Sequence, residues 1–300
     1  MQICRIIFMG TPDFAVPALS RLSADGHEIV MAVTRPDRPR GRGMEVTPSP
    51  VKVFALENGI RVYQPESLKD TETQRIITVE NADCIVVAAY GQLLPPALLD
   101  APRLGCINIH ASLLPRFRGA APINRAVMAG DALGGVTVMR MEKGLDTGGI
   151  ILQKETAIPP DMTAGEYHDA LSLLGAEAIS EFFGRENHTQ RPQDESLATY
   201  AAKIEKSETE TDFSGDCINV YNKIRGLSPY PCAFAVTGGR RLKLIMARPG
   251  CGNGRPGEVL RADNAGIEIA CGSGSVVITL LQPEGKRVMS AGEYLAGNKI

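Results

Sequence analysis

The sequence predicts an open α/β domain with a mostly parallel sheet, followed by a small β-barrel domain. In the first two-thirds of the chain, apolar runs without polar alternation are separated by helix-like segments, which is typical of parallel strands buried on both faces. In the last third, short β-like runs are broken by Gly, Pro and Asn, as in small barrels. The 300 residues are 44% hydrophobic and 22% charged, which suffices for two domains with packed cores.

The elements follow one another in the order expected for such a chain. Strands of the first domain are predicted at Ile3–Met9, Ile29–Val33, Arg61–Tyr63, Cys84–Ala89, Gly105–Ile109, Gly135–Met141 and Gly149–Ala157. Helices are predicted at Asp13–Ala24, Ser49–Glu57, Glu72–Glu80, from the capping box of Thr163 and Glu166 to Phe183, near Tyr200–Lys206, and at Asp216–Arg225. Barrel strands are predicted at Ala233–Val236, Leu242–Met246, Glu258–Leu260, Gly266–Ile269 and Ser275–Leu281.

A polar, weakly patterned stretch sets the expected domain boundaries. We predict a sheet domain at residues 1–190, a linker at 191–208 and a barrel domain at 209–300. No apolar run reaches the ~18 residues of a membrane helix, and the first residues lack the pattern of a cleaved signal. The seven cysteines occur singly, without a Cys-x-x-Cys pair, so we expect neither a zinc ribbon nor a disulfide scaffold. A reduced cytoplasm is the expected location.

The charge is unevenly distributed along the chain. Residues 221–300 hold 11 Lys and Arg against 5 Asp and Glu, while the rest holds 21 against 29. A basic end on an acidic body suggests a polyanionic partner, although a small domain can also carry such charge for solubility.

Asn108 and His110 are the first candidates for a chemical role. They lie two residues apart at the end of the predicted strand Gly105–Ile109, so alternation places both side chains on one face. An amide donor beside an imidazole at the mouth of a parallel sheet could stabilise an oxyanion and move a proton. The alternative is a polar strand end whose side chains only satisfy loop backbone.

Asp146 is a third candidate, in a Gly-rich loop between two predicted strands. Its carboxylate could stabilise charge on an imidazole and fix the orientation of the ring. An Asp beside glycines is also a common turn residue, and spacing alone does not show that it meets His110.

Two loops at the carboxyl edge of the sheet complete the candidates. Gly10-Thr11-Pro12 follows the first strand but lacks the later glycines of a dinucleotide-binding loop, so NAD or FAD is not expected. Residues 35–43 hold four Arg together with Pro and Gly, a basic loop suited to phosphates or else a solvated surface loop.

The segment Asn108–Ile123, which reads Asn-Ile-His-Ala-Ser-Leu-Leu-Pro-Arg-Phe-Arg-Gly-Ala-Ala-Pro-Ile, resembles the 10-formyltetrahydrofolate-dependent formyltransferases. The resemblance runs essentially from end to end of the chain. Its other parts are Phe8–Phe14, Arg35–Pro39, Ala89–Pro95, Gly144–Gly148 and Ile224–Pro231. The C-terminal portion favours the members of this family that act on methionyl-tRNA.

The resemblance implies a function and a set of site residues. It implies transfer of a formyl group from 10-formyltetrahydrofolate to initiator methionyl-tRNA, without a metal, by a Rossmann-like domain and an OB-like C-terminal domain that holds the tRNA. The expected catalytic residues are Asn108, His110 and Asp146. The expected folate-binding residues are Ser112, Leu113, Leu114, Pro115, Gln92 and Leu93, and the expected tRNA-binding residues are Arg38, Arg40 and Arg42. A monomer is expected from the resemblance.

The chain departs from the family pattern at two places. The family often has Trp at the position of Phe117, so this replacement keeps an aromatic ring there. Met44 and Glu45 stand where Lys is usual, so tRNA contacts are expected from the arginines before them. The rival functions are a formyltetrahydrofolate hydrolase, a sugar-nucleotide formyltransferase, and a nucleic-acid-binding protein without activity.

Overall fold

The computed structural model describes residues 3–40, 45–237, 239–298 and 300. These residues form two compact units that differ in their secondary structure. The first unit comprises Met1–Ala120, Gly134–Thr156 and Asp169–Ala201, and the second comprises Ala121–Leu133, Ala157–His168 and Ala202–Ile300. The domain limits 1–190, 191–208 and 209–300 stay a prediction.

The strands and helices are numbered separately in chain order. The strands are β1 (Arg5–Gly10), β2 (Glu28–Val33), β3 (Arg38–Arg40), β4 (Glu45–Thr47), β5 (Val62–Tyr63), β6 (Cys84–Ala88), β7 (Cys106–His110), β8 (Arg118–Gly119), β9 (Leu133–Arg140), β10 (Ile150–Ala157), β11 (Tyr200–Ala201), β12 (Ala233–Thr237), β13 (Arg240–Gly250), β14 (Val259–Asp263), β15 (Gly266–Ala270), β16 (Ser275–Pro283) and β17 (Met289–Ser290). The helices are α1 (Val16–Ala24), α2 (Pro50–Glu57), α3 (Thr71–Thr78), α4 (Pro96–Leu99), α5 (Pro122–Ala129), α6 (Ala164–Gly184), α7 (Cys217–Leu227) and α8 (Ala291–Leu295). Short 3-10 turns occur at Asp13–Ala15, Glu195–Leu197 and Lys206–Thr209.

The first unit is built on a seven-stranded sheet of order β10-β9-β7-β6-β1-β2-β5. The pairs β1–β2, β1–β6, β6–β7 and β2–β5 are parallel, whereas β9 runs antiparallel to β7. All five residues of β6 and of β7 are buried, as expected for strands covered on both faces. The carboxyl ends of β1, β6 and β7 therefore meet at one edge, where open α/β sheets bind their ligands.

Local signals in the sequence account for the helix starts. The Ser49 hydroxyl accepts the Lys52 N–H at 3.1 Å, and the Asp70 carboxylate accepts the Thr73 N–H at 2.8 Å. Such contacts satisfy backbone donors that a first helical turn leaves unpaired. The predicted capping box of Thr163 and Glu166 is formed ahead of the long helix α6.

The second unit holds an antiparallel sheet of order β12-β13-β16-β15-β14, with β17 paired to β16. Register shifts between Leu244 and Ala247 disturb the pairing of β13 with β16, and such irregularities bend a long strand. The buried residues Ile224 and Leu227 of α7 belong to the core of this sheet, and α7 also contacts α5. The predicted fold class is confirmed: a mostly parallel α/β sheet followed by an antiparallel β domain.

Some predicted elements differ from the observed ones. The helix expected near Tyr200–Lys206 is wrong, because Tyr200–Ala201 instead pairs in parallel with β8. Strand β3 of the basic loop pairs antiparallel with β4, which lies beyond the loop, and the sequence did not predict this pair. Among the described residues, no helix combines the length and the apolar character needed to cross a membrane.

Candidate functional site

Strand β7 places Asn108 and His110 on the same face of the first sheet. They pair with Met139 and Thr137 of β9, and each is buried, with 9% and 6% of its surface exposed. The sequence predicted this arrangement from strand alternation. Two polar side chains therefore stand side by side near the carboxyl end of a buried strand.

The His110 ring is held between a carbonyl and a carboxylate. Its Nε2 lies 2.9 Å from the Phe117 carbonyl oxygen, which can only accept, so Nε2 carries a hydrogen and donates. Its Nδ1 lies 3.7 Å from the Asp146 Oδ2. That separation is longer than a hydrogen bond but short enough for the carboxylate to stabilise positive charge on the ring. Spacing could not establish this meeting of His110 and Asp146, and the structure does.

The backbone around Asp146 aims its carboxylate. Asp146 has a φ of +54°, a left-handed conformation that Asp and Asn tolerate better than other side chains. The Gly119 N–H donates to the Asp146 Oδ2 at 2.8 Å, which fixes that oxygen on the side of the imidazole. Gly148 lies so close to the Arg140 carbonyl oxygen that a Cβ atom would come within 1.9 Å of it. Glycine is therefore required beside this aspartate.

The Asn108 carboxamide makes no side-chain hydrogen bond to any residue in the described part of the chain. This amide is not among the fully buried side-chain groups that lack a partner, so it keeps access to solvent and can donate to a ligand oxygen. The neighbouring Nδ1 edge of His110 is likewise without a hydrogen bond to the described residues. When Nδ1 carries a proton as well, the two groups together can stabilise negative charge on an oxygen placed between them.

Residues 112–115 connect β7 to the loop that carries Phe117. The Leu114 N–H donates to the Thr137 hydroxyl at 3.0 Å, and that hydroxyl donates to the Ser112 carbonyl at 2.7 Å. Ser112 and Leu114 are buried, whereas Leu113 and Pro115 are half-exposed. The segment is thus held rigidly next to the site, and its predicted contact with folate stays a prediction.

Gln92 and Leu93 follow β6 at the same edge of the sheet. The Gln92 carboxamide accepts the Leu68 N–H at 3.2 Å and donates to the Glu66 carbonyl at 3.4 Å, while Leu93 is exposed. Nearby in the chain, the Tyr90 hydroxyl is buried without a hydrogen bond to the described residues. Burial raises the pKa of Tyr90 to about 12, so this hydroxyl is a neutral donor at physiological pH.

The basic loop lies only partly within the described residues. Arg38 pairs with Glu66 at 2.6 Å, and both side chains are exposed to solvent. Arg40 ends strand β3, and Arg42 and Met44 lie outside the described residues. The predicted tRNA contacts of Arg38, Arg40 and Arg42 stay a prediction.

Several residues that shape the site were not predicted from the sequence. Thr137 and Arg118 are completely buried polar side chains, and Gln193 donates to the backbone carbonyl of Asp146 at 2.8 Å. Residues 193 and 146 are 47 positions apart in the chain. No local pattern reveals contacts over that distance.

Comparisons with known proteins place the chain among formyl transferases. A family model described as formyl transferase matches residues 4–182, and one described as the formyl transferase C-terminal domain matches residues 203–299. A protein of Jannaschia sp. (strain CCS1) named methionyl-tRNA formyltransferase is 50% identical over 297 residues, which cover 99% of this chain and 97% of that protein.

Solved structures show the same fold at low identity. Methionyl-tRNA formyltransferase from Clostridium thermocellum matches with a TM-score of 0.56 at 17% identity, over 82% of this chain and 93% of the other. HypX from Aquifex aeolicus, in complex with tetrahydrofolic acid, matches with a TM-score of 0.67 at 19% identity, over 99% of this chain and 48% of the longer one.

Proposed function

This chain belongs to the formyl transferase family, and from that premise we propose that it transfers the formyl group of 10-formyltetrahydrofolate to the amino group of initiator methionyl-tRNA. The observation that carries the proposal is the site on β7. Asn108 and His110 share one face there, and the Asp146 carboxylate lies 3.7 Å from the His110 ring. This arrangement suits a reaction in which a carbonyl oxygen gains negative charge.

The reaction begins with attack by the free α-amine of methionyl-tRNA on the formyl carbon. A carbon–nitrogen bond forms, and the carbonyl electron pair moves onto the formyl oxygen. Asn108 and the charged His110 ring donate to that oxyanion, while Asp146 stabilises and aligns the ring. Asp146 resembles in this respect the carboxylate that orients a catalytic histidine in other acyl-transfer enzymes.

The tetrahedral adduct then collapses toward products. The bond between the formyl carbon and N10 of the folate breaks, N10 keeps the electron pair, and it takes up a proton equivalent to the one that the attacking amine loses. The products are N-formylmethionyl-tRNA and tetrahydrofolate. Hydrogen bonds alone activate the formyl carbon in this scheme, so the proposal includes no metal ion.

The binding roles follow the same premise. Ser112, Leu113, Leu114 and Pro115, with Gln92 and Leu93, are proposed to contact the folate, since all lie after β6 or β7. Arg38, Arg40 and Arg42 are proposed to contact the acceptor end of the tRNA. The basic residues of 221–300 are proposed to hold the tRNA body through its phosphates.

The setting of the reaction is proposed on the same basis. A translation substrate such as methionyl-tRNA implies a cytoplasmic enzyme, and we expect it to act as a monomer.

Formylation of charged tRNA tests this function directly. The protein is incubated with 10-formyltetrahydrofolate and either methionyl-tRNA or the same tRNA without its amino acid, and formyl-methionine is measured after hydrolysis of the ester. We expect product only with the charged tRNA. Absence of formyl-methionine together with formylation of an amino sugar nucleotide would instead establish the sugar-nucleotide function.

A further inference from the structure

Residues 191–201, which the sequence predicts as part of a linker, contact both loops that hold the catalytic pair. The Gln193 carboxamide nitrogen donates to the Asp146 carbonyl and to the Gly148 carbonyl, each at 2.8 Å. These two carbonyls flank the turn in which Asp146 has its left-handed φ of +54°. The Gln193 side chain, from a distant part of the chain, therefore bridges two backbone carbonyls of the loop that carries the catalytic carboxylate.

Gln193 is itself fixed by the fully buried Arg118. The Gln193 carboxamide oxygen accepts from Arg118 Nε at 3.0 Å and from Nη2 at 2.8 Å. The other edge of the guanidinium donates to the two oxygens of Glu195 at 2.7 and 2.9 Å. Hydrogen bonding to Glu195 raises the pKa of Arg118, so the buried guanidinium stays charged.

The same segment also holds the loop that receives the His110 ring. The Thr199 hydroxyl accepts the Phe117 N–H at 2.9 Å, and the Thr199 carbonyl accepts the Arg118 N–H at 2.9 Å. Phe117 supplies the carbonyl for His110 Nε2, and Gly119 supplies the N–H for the Asp146 carboxylate. Segment 191–201 thus has hydrogen bonds to both sides of the His110–Asp146 pair.

We propose that Gln193 is a positioning residue for formyl transfer, which acts by holding Asp146 at its distance from His110. The proposal rests on the function proposed above and adds a residue to its machinery. Gln193 does not contact the substrates in this role. Its loss is therefore expected to slow the chemical step while substrate binding stays nearly unchanged, because displacement of a catalytic group by about 1 Å can cost up to about 100-fold in rate.

The Gln193→Glu variant tests the proposal with little change of shape. A glutamate keeps an acceptor for Arg118 but cannot donate to the carbonyls of Asp146 and Gly148. We expect the single-turnover rate of formyl transfer to fall about 10- to 100-fold, with the KM for each substrate changed by less than about threefold. Gln193→Ala, which leaves Arg118 paired with Glu195, is expected to give a similar loss.

Gln74→Glu is the matched control. Gln74 is also half-buried and donates to a backbone carbonyl, that of Leu68 at 2.9 Å, away from the catalytic pair. Thermal unfolding of all variants is compared in parallel. We expect Gln74→Glu to leave the rate of formyl transfer unchanged.

A double-mutant cycle with Asp146→Asn separates positioning from a general structural role. If Gln193 acts through the Asp146 carboxylate, Gln193→Glu is expected to cost less than about threefold in rate once that carboxylate is gone. Equal losses in both backgrounds would overturn the proposal, as would a normal rate of Gln193→Glu or unfolding of both Gln193 variants. Failure of the unmodified protein to formylate methionyl-tRNA would instead contradict the proposed function.

Discussion

At the scale of single residues, the site presents polar groups without a hydrogen-bond partner among the described residues. The Asn108 carboxamide and the Nδ1 edge of His110 have no hydrogen bonds to the described residues. A ligand oxygen that accepts from both groups is stabilised most when it is negatively charged.

Asn108→Ala is expected to slow formyl transfer severely while the protein stays folded. Loss of one oxyanion donor typically costs on the order of 10²–10³ in rate. His110→Ala is expected to have an effect at least as large, because it removes the whole imidazole that faces Asp146. Single-turnover rates at saturating substrates measure the loss, and the exposed Asn187→Ala serves as the control. A near-normal rate in Asn108→Ala would exclude it from the oxyanion site.

Asp146→Asn isolates the charge of the third proposed catalytic residue. Asparagine tolerates the left-handed φ of +54°, and its side-chain oxygen can still accept the Gly119 N–H. We therefore expect stability close to that of the unmodified protein but a severe loss of rate, since the negative charge facing the imidazole is gone. Thermal unfolding followed by circular dichroism measures the stability, and single-turnover kinetics measure the rate. Retained activity would show that the charge is dispensable.

At the scale of secondary structure, uninterrupted apolar runs predict the buried strands well. The predicted ranges for β1, β2, β6 and β7 agree with the structure to within two residues. A strand covered on both faces is one continuous apolar run, so its ends are easy to recognise in the sequence. The same pattern places Asn108 and His110 together. It cannot show that β9 runs antiparallel to β7, since the composition of a buried strand does not encode its direction.

Elements defined by distant partners could not be predicted. Tyr200–Ala201 is a strand only because β8, about 80 residues earlier, offers backbone partners. The Gln193 contact to the Asp146 loop has the same origin. The sequence therefore offers candidates for the chemistry, which the structure brings together, but it does not reveal the segment that holds them in place.

The contact between β1 and the start of β6 predicts an acid-dependent loss of stability. The Asp83 carboxylate accepts the Arg5 N–H at 2.8 Å and binds the Arg103 guanidinium at 2.6 Å. These contacts, the Arg5 N–H first, lower the pKa of Asp83 in the folded protein. A lowered folded-state pKa contributes stability above the unfolded value of about 3.9, and that stability is lost as the pH falls through the folded value.

Asp83→Asn is accordingly expected to lower the free energy of unfolding at pH 7. The difference from the unmodified protein should shrink as the pH falls below about 4, because the unmodified carboxyl then becomes neutral as well. Urea unfolding at pH 7 and at pH 3 measures both differences. A difference that stays constant with pH would show that the Asp83 charge contributes nothing to stability.

At the scale of the whole molecule, positive charge is concentrated in the last part of the chain. Residues 221–300 hold 11 Lys and Arg against 5 Asp and Glu, while the remainder, which contains the proposed catalytic residues, holds 21 against 29. Arg241 and Arg248 are exposed on β13 of the antiparallel sheet. Exposed arginines in this basic stretch of the chain are suited to phosphates, and each phosphate neutralised releases counterions.

The affinity for tRNA is therefore expected to fall steeply with salt. Changing Arg241 and Arg248 to Gln should make the plot of log affinity against log salt shallower, by about one for each phosphate contact removed. Arg75→Gln, an exposed arginine on α3, serves as the control with an unchanged slope. Identical slopes in the unmodified protein, the Arg241 and Arg248 variant and the control would mean that Arg241 and Arg248 do not contact tRNA phosphates.

The fate of the formyl group tests the central claim most directly. The protein is mixed with 10-formyltetrahydrofolate labelled in its formyl carbon and with methionyl-tRNA, and the reaction is quenched within a single turnover. We predict that the label appears on the methionyl amine, that very little appears as free formate, and that Asp146→Asn slows its appearance severely. Formate released at the same rate with and without methionyl-tRNA would contradict the account, because the site would then transfer the formyl group to water rather than to the amine.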